Sequence, residues 1–273
     1  MRLRFAQIEK EISMKININA DVGESYGRYT IGNDEELIGL IGSASIACGM
    51  HAGDPTIMAR TIDIAVKTGA SIGAHPGFDD RWGFGRRQID MNPKDLENLV
   101  AYQIGALQGI ANGRGVKVTH VKPHGALNNM AIIDREYAMA IGRGIQAADK
   151  NLIYVANFGS AMHRAGLELG LVVAREFYAD RNYDDDGNII SRKFESAMIK
   201  DPDVAAEQIV RAVLEGHVIS VSGKKIEVTV DSICIHGDEP TAVPVAKAVR
   251  KALTAAGCEI VSLPDLQLPE RVN

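Results

Sequence analysis

The chain has 273 residues, of which 46% are hydrophobic and 24% are charged, and its formal net charge is −5. This composition is typical of a soluble globular protein, and a mildly acidic chain without a basic block argues against a nucleic-acid or anionic-membrane partner. The longest apolar runs are too short to span a bilayer. The three cysteines form no CxxC pair, which argues against a zinc knuckle or a redox motif and favours reduced thiols in the cytoplasm.

The first thirteen residues differ from the rest of the chain. They are charged and lack the apolar core of a secretory signal, and Met14 looks like a more natural start. We therefore predict that residues 1–13 are an N-terminal extension, either disordered or left over from cloning. Residues 14–273 contain no low-complexity linker and no sharp change in composition, so we predict that they form a single domain.

From residue 15 onward, short β-rich runs alternate with helical segments, which predicts a mostly parallel sheet. The predicted strands are residues 15–20, 43–47, 70–74, 117–122, 152–156, 171–175 and 230–235, with a weaker run at 258–261. Asp54, Asn92 and Asp201 each precede a proline and mark helix starts. The apolar stripe after Asn92 predicts a helix over 93–112. Further along, residues 180–200 are predicted to be a lid or irregular loop, and residues 218–230 a small hairpin.

Alternation within the strands distinguishes a closed barrel from an open sheet. Ile16 and Ile18 lie on one face of the first strand, and Asn17, Asn19 and Asp21 lie on the other. An open sheet with helices on both sides needs apolar residues on both faces. One aliphatic and one polar face therefore predict a (β/α) barrel whose interior is a hydrogen-bonded network, because an unpartnered buried polar group costs about 1–3 kcal/mol. The open end of this network is the predicted site.

The residues that could carry chemistry follow the predicted strands, whose C-terminal ends converge in a parallel barrel. They are Asn19, Asp21, Glu24, His51, Asp54, His75, Lys122, His124, Glu176, Asp180, Arg181, His236 and Asp238. The catalytic candidates among them are Asp21, Glu24, His51, His75, Lys122 and His124, because acid–base sites collect such groups. Asp54 is interpreted as a helix cap rather than a catalytic residue.

Three binding hypotheses remain open from the residues alone. Lys122 needs either an anionic substrate or a salt bridge to Asp21 or Glu176, because unpaired burial of its charge is too costly. Arg86 and Arg87, in a glycine-rich segment, could bind a phosphate or carboxylate or belong to an ordinary surface loop. A divalent metal would find suitable ligands in four of these residues, although their spacing is not a compact metal signature. These metal candidates are Asp21, His51, His75 and His124.

Eight segments of the chain resemble the LamB/YcsF family. They are NADVGE at 19–24, SIACGMHAGDP at 45–55, IGAHPG at 72–77, GFGRR at 83–87, YQIGAL at 102–107, VKPHGAL at 121–127, FYADRNY at 177–183 and IHGD at 235–238. The resemblance runs in the same order from about residue 15 to residue 262. It implies a TIM-like barrel, an irregular seven-stranded one of the glycoside hydrolase/deacetylase type.

The same resemblance implies an enzymatic function. Members of this family form part of an ATP-dependent 5-oxoprolinase, which opens the lactam of 5-oxo-L-proline to L-glutamate together with partner subunits B and C. The implied cofactors are ATP and Mg²⁺, the latter on Asp21 or Glu24. Lys122 with Arg86 or Arg87 would stabilise the transferring phosphoryl group. The implied base is one of the three histidines named above as metal candidates.

The remaining candidates are assigned to substrate or phosphate binding. They are Asn19, Arg86, Arg87, Glu176, Asp180, Arg181, His236 and Asp238. Two other functions stay open: a metal-dependent deacetylase or amidohydrolase, which is an analogy at the level of the fold, and a non-catalytic subunit that binds the lactam. Assembly into a homo-oligomer also stays open.

Overall fold

A computed structural model describes residues 14–269, and both the predicted extension at 1–13 and residues 270–273 lie outside this range. The strands are β1 (Lys15–Val22), β2 (Ser43–Ala47), β3 (Ser71–His75), β4 (Val118–Val121), β5 (Ile153–Asn157), β6 (Val173–Tyr178), β7 (His217–Ile219), β8 (Lys225–Glu227), β9 (Ser232–His236) and β10 (Glu259–Ile260). Strands β1 to β6 pair in order, and β9 pairs with both β6 and β1. This closes a parallel barrel of seven strands and confirms the predicted TIM-like fold.

Helices pack around the barrel. Within residues 14–269 they are α1 (Asp34–Ile38), α2 (Pro55–Thr68), α3 (Pro93–Asn112), α4 (Gly125–Ile133), α5 (Arg135–Asp149), α6 (Ala161–Glu168), α7 (Pro202–Leu214) and α8 (Ala242–Ala255), with 3₁₀ turns at Glu195–Ala197 and Leu263–Asp265. The three predicted helix starts are confirmed, and α3 has the predicted bounds. Asp54 caps α2 by accepting from the backbone N–H groups of Thr56 and Ile57 at 2.8 and 3.0 Å. In the described part of the chain, no helix is both long and apolar enough to cross a membrane.

The two faces of the barrel strands differ as predicted. Ile16 and Ile18 are fully buried in the hydrophobic core that the barrel forms with the surrounding helices. The inward-facing Asn17 donates to the Ser43 hydroxyl at 2.9 Å. Asn19 donates to a carboxylate oxygen of Glu176 at 3.0 Å. The interior is therefore a polar network whose members hydrogen-bond across the barrel.

The N-terminal end of the barrel is sealed by the segment that follows β10. The backbone N–H of Leu263 donates to the Ser43 hydroxyl at 3.0 Å, and the fully buried Leu263 side chain packs with Val155 and Ala174. Asn17 donates to the carbonyl of Val261 at 2.7 Å. Ligand access is therefore expected at the opposite, C-terminal end.

Two predicted irregular regions flank that open end. The predicted hairpin is confirmed, with β7 and β8 pairing antiparallel. Residues 180–200 lack long regular elements, and isolated bridges join Arg181 to Met198 and Tyr183 to Ile189. Part of this segment lines the cavity at the barrel mouth, namely Arg181, Asn188, Ile189, Ser191, Arg192 and Lys193.

Candidate active site

A cavity of about 570 Å³ opens at the C-terminal end of the barrel. The residues that line it include Asp21, His75, Lys122, His124, Tyr178 and His236 from the ends of the barrel strands, and Arg86, Arg181, Arg192 and Lys193 from the loops. Strand ends therefore supply titratable groups, and loops supply positive charge. This is the end of a TIM-like barrel where enzymes of this architecture carry their active sites.

Lys122 lies at the centre of the polar floor and is only 2% exposed. Its ammonium is 2.5 Å from an Asp21 oxygen and 3.3 Å from a Glu176 oxygen. It also lies 2.7 Å from the Cys234 sulfur. Burial would lower the pKa of Lys122, but its attraction to these groups, Asp21 above all, raises that pKa well above its usual value. Both salt-bridge partners considered for Lys122 are thus in contact with it.

Asp21 keeps its negative charge in the same environment. Burial alone would raise the pKa of this carboxyl, but the nearby His75 and Lys122 outweigh it and hold the pKa well below its usual value. The second oxygen of Asp21 is 3.4 Å from His75 Nε2. Asp21 therefore joins the lysine to the histidines described next.

Three histidines and Glu24 form a buried cluster beside this ion pair. His51 Nε2 is 3.2 Å from Glu24 Oε1, and His124 Nδ1 is 3.4 Å from the same oxygen. The rings of His51 and His124 stack with centroids 3.7 Å apart, and His75 Nε2 is 3.0 Å from His124 Nδ1. Burial is the main cause that lowers the pKa of His51 and of His124, so both rings are neutral near pH 7. Burial, helped by the charge of Asp21, raises the pKa of Glu24.

Local backbone features hold these rings in place. A Cβ atom on Gly77 would lie 2.6 Å from His51 Nδ1, and one on Gly85 would lie 2.6 Å from the Cβ of His51. Phe84 adopts a left-handed backbone with φ of 54°, and its carbonyl accepts from His124 Nε2 at 2.8 Å. Non-glycine residues rarely adopt this conformation, and such strain clusters at functional sites. The glycine-rich 83–87 segment therefore packs against the histidines.

His236 lies on the other side of the cavity and is oriented by Asp180. Its Nδ1 lies 2.8 Å from both oxygens of Asp180, and its ring stacks on Tyr178. Burial would raise the pKa of Asp180, but the interaction with His236 lowers it. A histidine held by a carboxylate on one nitrogen, with its ring at a cavity wall, has the arrangement of a general base.

The predicted cationic residues divide into two groups. Arg86 lines the cavity and donates to Asp238 at 2.6 Å, and Arg181 lines it while donating to the backbone carbonyl of Ile190. Arg87 turns instead to Asp80, and its side chain is 67% exposed. The structure therefore brings Arg86 and Arg181 to the site and leaves Arg87 on the loop surface.

Several residues at the site were not predicted from the sequence. Arg192 and Lys193 line the cavity from the 180–200 segment, and Asn128 lines it from α4. Cys234 touches Lys122 from β9. Cys234 alternates with Ile233 and Ile235 along β9, and this alternation could have placed it in the barrel interior. Arg181 was predicted from this segment, but no local pattern indicated that Arg192 and Lys193 would also reach the barrel mouth.

A closed parallel barrel surrounded by helices, with titratable groups converging at its C-terminal end, defines a TIM-like α/β protein. The chain belongs to the LamB/YcsF family, whose family model matches residues 16–268. This confirms the resemblance found in the sequence motifs.

Sequence and structural similarity to known proteins is consistent with membership of the LamB/YcsF family. The chain is 48% identical to the A subunit of 5-oxoprolinase from Nitrobacter hamburgensis over 90% of this chain and 97% of that protein. It is 41% identical to the lactam utilization protein from Thermus thermophilus, with a TM-score of 0.87 over 92% of this chain and 100% of that one. The catalytic domain of a peptidoglycan N-acetylglucosamine deacetylase from Eubacterium rectale is 12% identical with a TM-score of 0.51 over 98% of both chains, a similarity of fold alone.

Proposed function

We propose that the chain is one of the subunits of an ATP-dependent 5-oxoprolinase, which opens the lactam ring of 5-oxo-L-proline to L-glutamate as ATP is cleaved to ADP and phosphate. The observation that carries this proposal is the buried, ion-paired Lys122 on the floor of a cavity with a basic rim. The names of the relatives support it. The cavity of about 570 Å³ also suits a small ligand, since such sites span about 300–1,000 Å³.

The proposed chemistry activates the lactam through its oxygen. The lactam oxygen attacks the γ-phosphorus of ATP, and ADP leaves. Water then adds to the ring carbon, the carbon–nitrogen bond breaks as the amine takes a proton, and an acyl phosphate of glutamate remains. A second water releases phosphate from it. Phosphoryl transfer needs fixed positive charge, which Lys122 supplies at the cavity floor and Arg86 at the rim.

His236 is the best-placed base for the attacking water. The sequence-based hypothesis assigned this role to His51, His75 or His124. The second ring nitrogen of His75 and that of His124 are each engaged by a backbone carbonyl, and the rings face each other. His236 lines the cavity and has Asp180 behind it, so its remaining nitrogen is available to take a proton.

ATP enters this proposal as a co-substrate, and the cationic rim suits its phosphates. Mg²⁺ as a resident ion does not fit the residues present. Mg²⁺ prefers oxygen ligands, whereas Asp21 is committed to Lys122 and Glu24 lies among imidazoles. No step of the proposed reaction therefore uses a Mg²⁺ ion held by this chain. Subunits B and C are part of the proposal as partners, and so is a cytoplasmic location.

The test is lactam-dependent ATP hydrolysis with the purified chain and its proposed partner subunits, measured as phosphate and glutamate released. Lys122→Ala should abolish turnover, whereas Lys247→Ala, which removes an exposed lysine on α8, should leave it unchanged. Normal turnover by Lys122→Ala and His236→Ala would remove both residues from the mechanism. Calorimetry of 5-oxo-L-proline binding to the isolated chain tests the alternative of a non-catalytic binding subunit, in which the same variants would weaken binding only.

A further inference from the structure

Backbone carbonyls fix the protons on two of the clustered histidines. His75 Nδ1 lies 2.6 Å from the carbonyl oxygen of Lys122, and His124 Nε2 lies 2.8 Å from that of Phe84. A carbonyl oxygen only accepts hydrogen bonds, so each of these ring nitrogens carries the hydrogen. In the neutral His124 ring, Nδ1 is therefore a lone-pair acceptor, and the ring nitrogen of His75 that faces it is Nε2.

These two nitrogens are 3.0 Å apart. Glu24 Oε1, another acceptor, lies 3.4 Å from His124 Nδ1 and 3.2 Å from His51 Nε2. Among the described residues, neither Glu24 Oε2 nor His51 Nδ1 has a hydrogen-bond partner, although both atoms are buried. Ring nitrogens and a carboxylate oxygen that converge in this way need either a proton or a bound cation between them.

The spacing of the four residues fits one metal ion. Each offers one ligand atom, and these atoms all lie within 4.8 Å of one another. A tetrahedral ion with metal–nitrogen bonds of about 2.0–2.1 Å places its ligand atoms about 3.3–3.4 Å apart. The distances of 3.0, 3.2 and 3.4 Å in the cluster lie close to this value. Because the His51 and His124 rings are stacked in parallel and an imidazole binds a metal in its own plane, one of these two rings must also rotate to complete the coordination.

We propose that Glu24, His51, His75 and His124 bind a divalent transition-metal ion of the Zn²⁺ class. Three imidazoles and one carboxylate favour Zn²⁺ or a neighbouring ion over Mg²⁺ or Ca²⁺, which prefer oxygen. A carbonyl that accepts from the far ring nitrogen is also the usual outer support of a metal-bound histidine. The site differs from the sequence-based candidate set in one ligand, because Glu24 replaces Asp21.

A second group of possible ligands is excluded by its surroundings. Asp21, Cys234 and His236 also converge. However, the Lys122 ammonium contacts both Asp21 and Cys234, at 2.5 and 2.7 Å, and so occupies with its own positive charge the place a metal would take. The metal site is therefore confined to the cluster around Glu24.

Metal binding to the chain alone tests this inference. After chelation and dialysis, the chain is loaded with Zn²⁺ or Co²⁺, and the stoichiometry is measured by elemental analysis and the Co²⁺ geometry by visible absorption. We expect one equivalent, an absorption of the tetrahedral type and a higher Tm in the loaded form. Because neither lactam nor ATP is present, failure here would leave the proposed function intact. Failure of lactam turnover would likewise leave the metal site intact.

Variants locate the ion. Glu24→Gln and His124→Ala should weaken Co²⁺ binding by at least the roughly 10–100-fold that loss of an outer-shell partner costs. His163→Ala, on α6 and away from the cluster, should bind normally, and so should His236→Ala. Less than a tenth of an equivalent of bound metal in the wild-type chain would overturn the proposal. The close contacts within the cluster would then be explained by a shared proton. Loss of metal in His236→Ala with retention in Glu24→Gln would also overturn it. The wild-type measurement decides the question even if a variant fails to fold.

Discussion

Replacing Lys122 by methionine tests the electrostatics of the barrel floor. Methionine keeps most of the unbranched side chain and removes the ammonium. Asp21 and Glu176 then remain 4% and 3% exposed without their cation. Removing one partner of a buried ion pair costs about 3–5 kcal/mol, because the other charge is left uncompensated. At about 2–4 °C per kcal/mol for a chain of this size, Tm should fall by about 6–20 °C.

The matched control is Lys247→Met. Lys247 pairs with Glu36 on the surface, where its side chain is 57% exposed. An exposed pair contributes about 0–1 kcal/mol, so this variant should unfold almost as the wild type does. Urea unfolding followed by circular dichroism at pH 7 measures both free energies of unfolding. A loss below about 1 kcal/mol in Lys122→Met, or equal losses in the two variants, would refute the reasoning, because buried charges without a partner are expected to cost several times more.

The stability that Lys122→Met loses relative to the wild type should depend on pH in a defined direction. In the wild type the pKa of Asp21 is held well below its usual value, so its contribution to stability is present above the unfolded pKa of about 3.9 and is lost as pH falls through the lower folded pKa. In Lys122→Met, burial favours the neutral acid. The difference in the free energy of unfolding between the wild type and Lys122→Met should therefore be largest near neutral pH and should become smaller below about pH 4. If this difference in the free energy of unfolding grew as the pH was lowered, the conclusion that Asp21 is ionised in the wild type would be contradicted.

Three further predictions concern other parts of the structure. His236→Ala should lower kcat for lactam turnover with little change in KM, and equal loss in both would argue for a binding role. Gly85→Ala should destabilise the protein and weaken Co²⁺ binding, because its Cβ would meet His51 at 2.6 Å and its φ is +63°. Gly69→Ala, with φ of +80° and no described atom within 4 Å of its Cβ, should show only the backbone cost of about 1–3 kcal/mol and normal metal binding in the same titration. Asp54→Ala should cost about 0.5–2 kcal/mol by thermal unfolding through loss of the α2 cap, with unchanged Co²⁺ binding.

The strands and the barrel could be predicted because their signals are local. Side-chain alternation assigned Asn17, Asn19 and Asp21 to the interior, and each hydrogen-bonds or ion-pairs there. Capping residues before proline set the starts of three helices. The same alternation also placed Lys122 in the interior. Because Lys122 and Asp21 both lie at the C-terminal ends of parallel strands, their side chains were expected to meet.

What could not be predicted depends on contacts between distant segments. Nothing near Leu263 indicates that it seals the barrel against Ser43, 220 residues earlier. Arg86 and Arg87 are neighbours in sequence, yet one reaches the cavity and the other pairs with Asp80. The position of Glu24 among the histidines depends on the turn after β1, whose geometry has no clear pattern in the sequence. These features are set by packing, which a single sequence encodes only indirectly.

The seal at the base of the barrel also has a consequence for biosynthesis. Strand β1 is synthesised long before its partner β9 and the Leu263 segment. The barrel therefore cannot close progressively as its strands emerge, because β1 has to wait for β9. Pairing between such remote segments is slow, and the incomplete barrel stays exposed to chaperones and proteases until β9 and the Leu263 segment have been made.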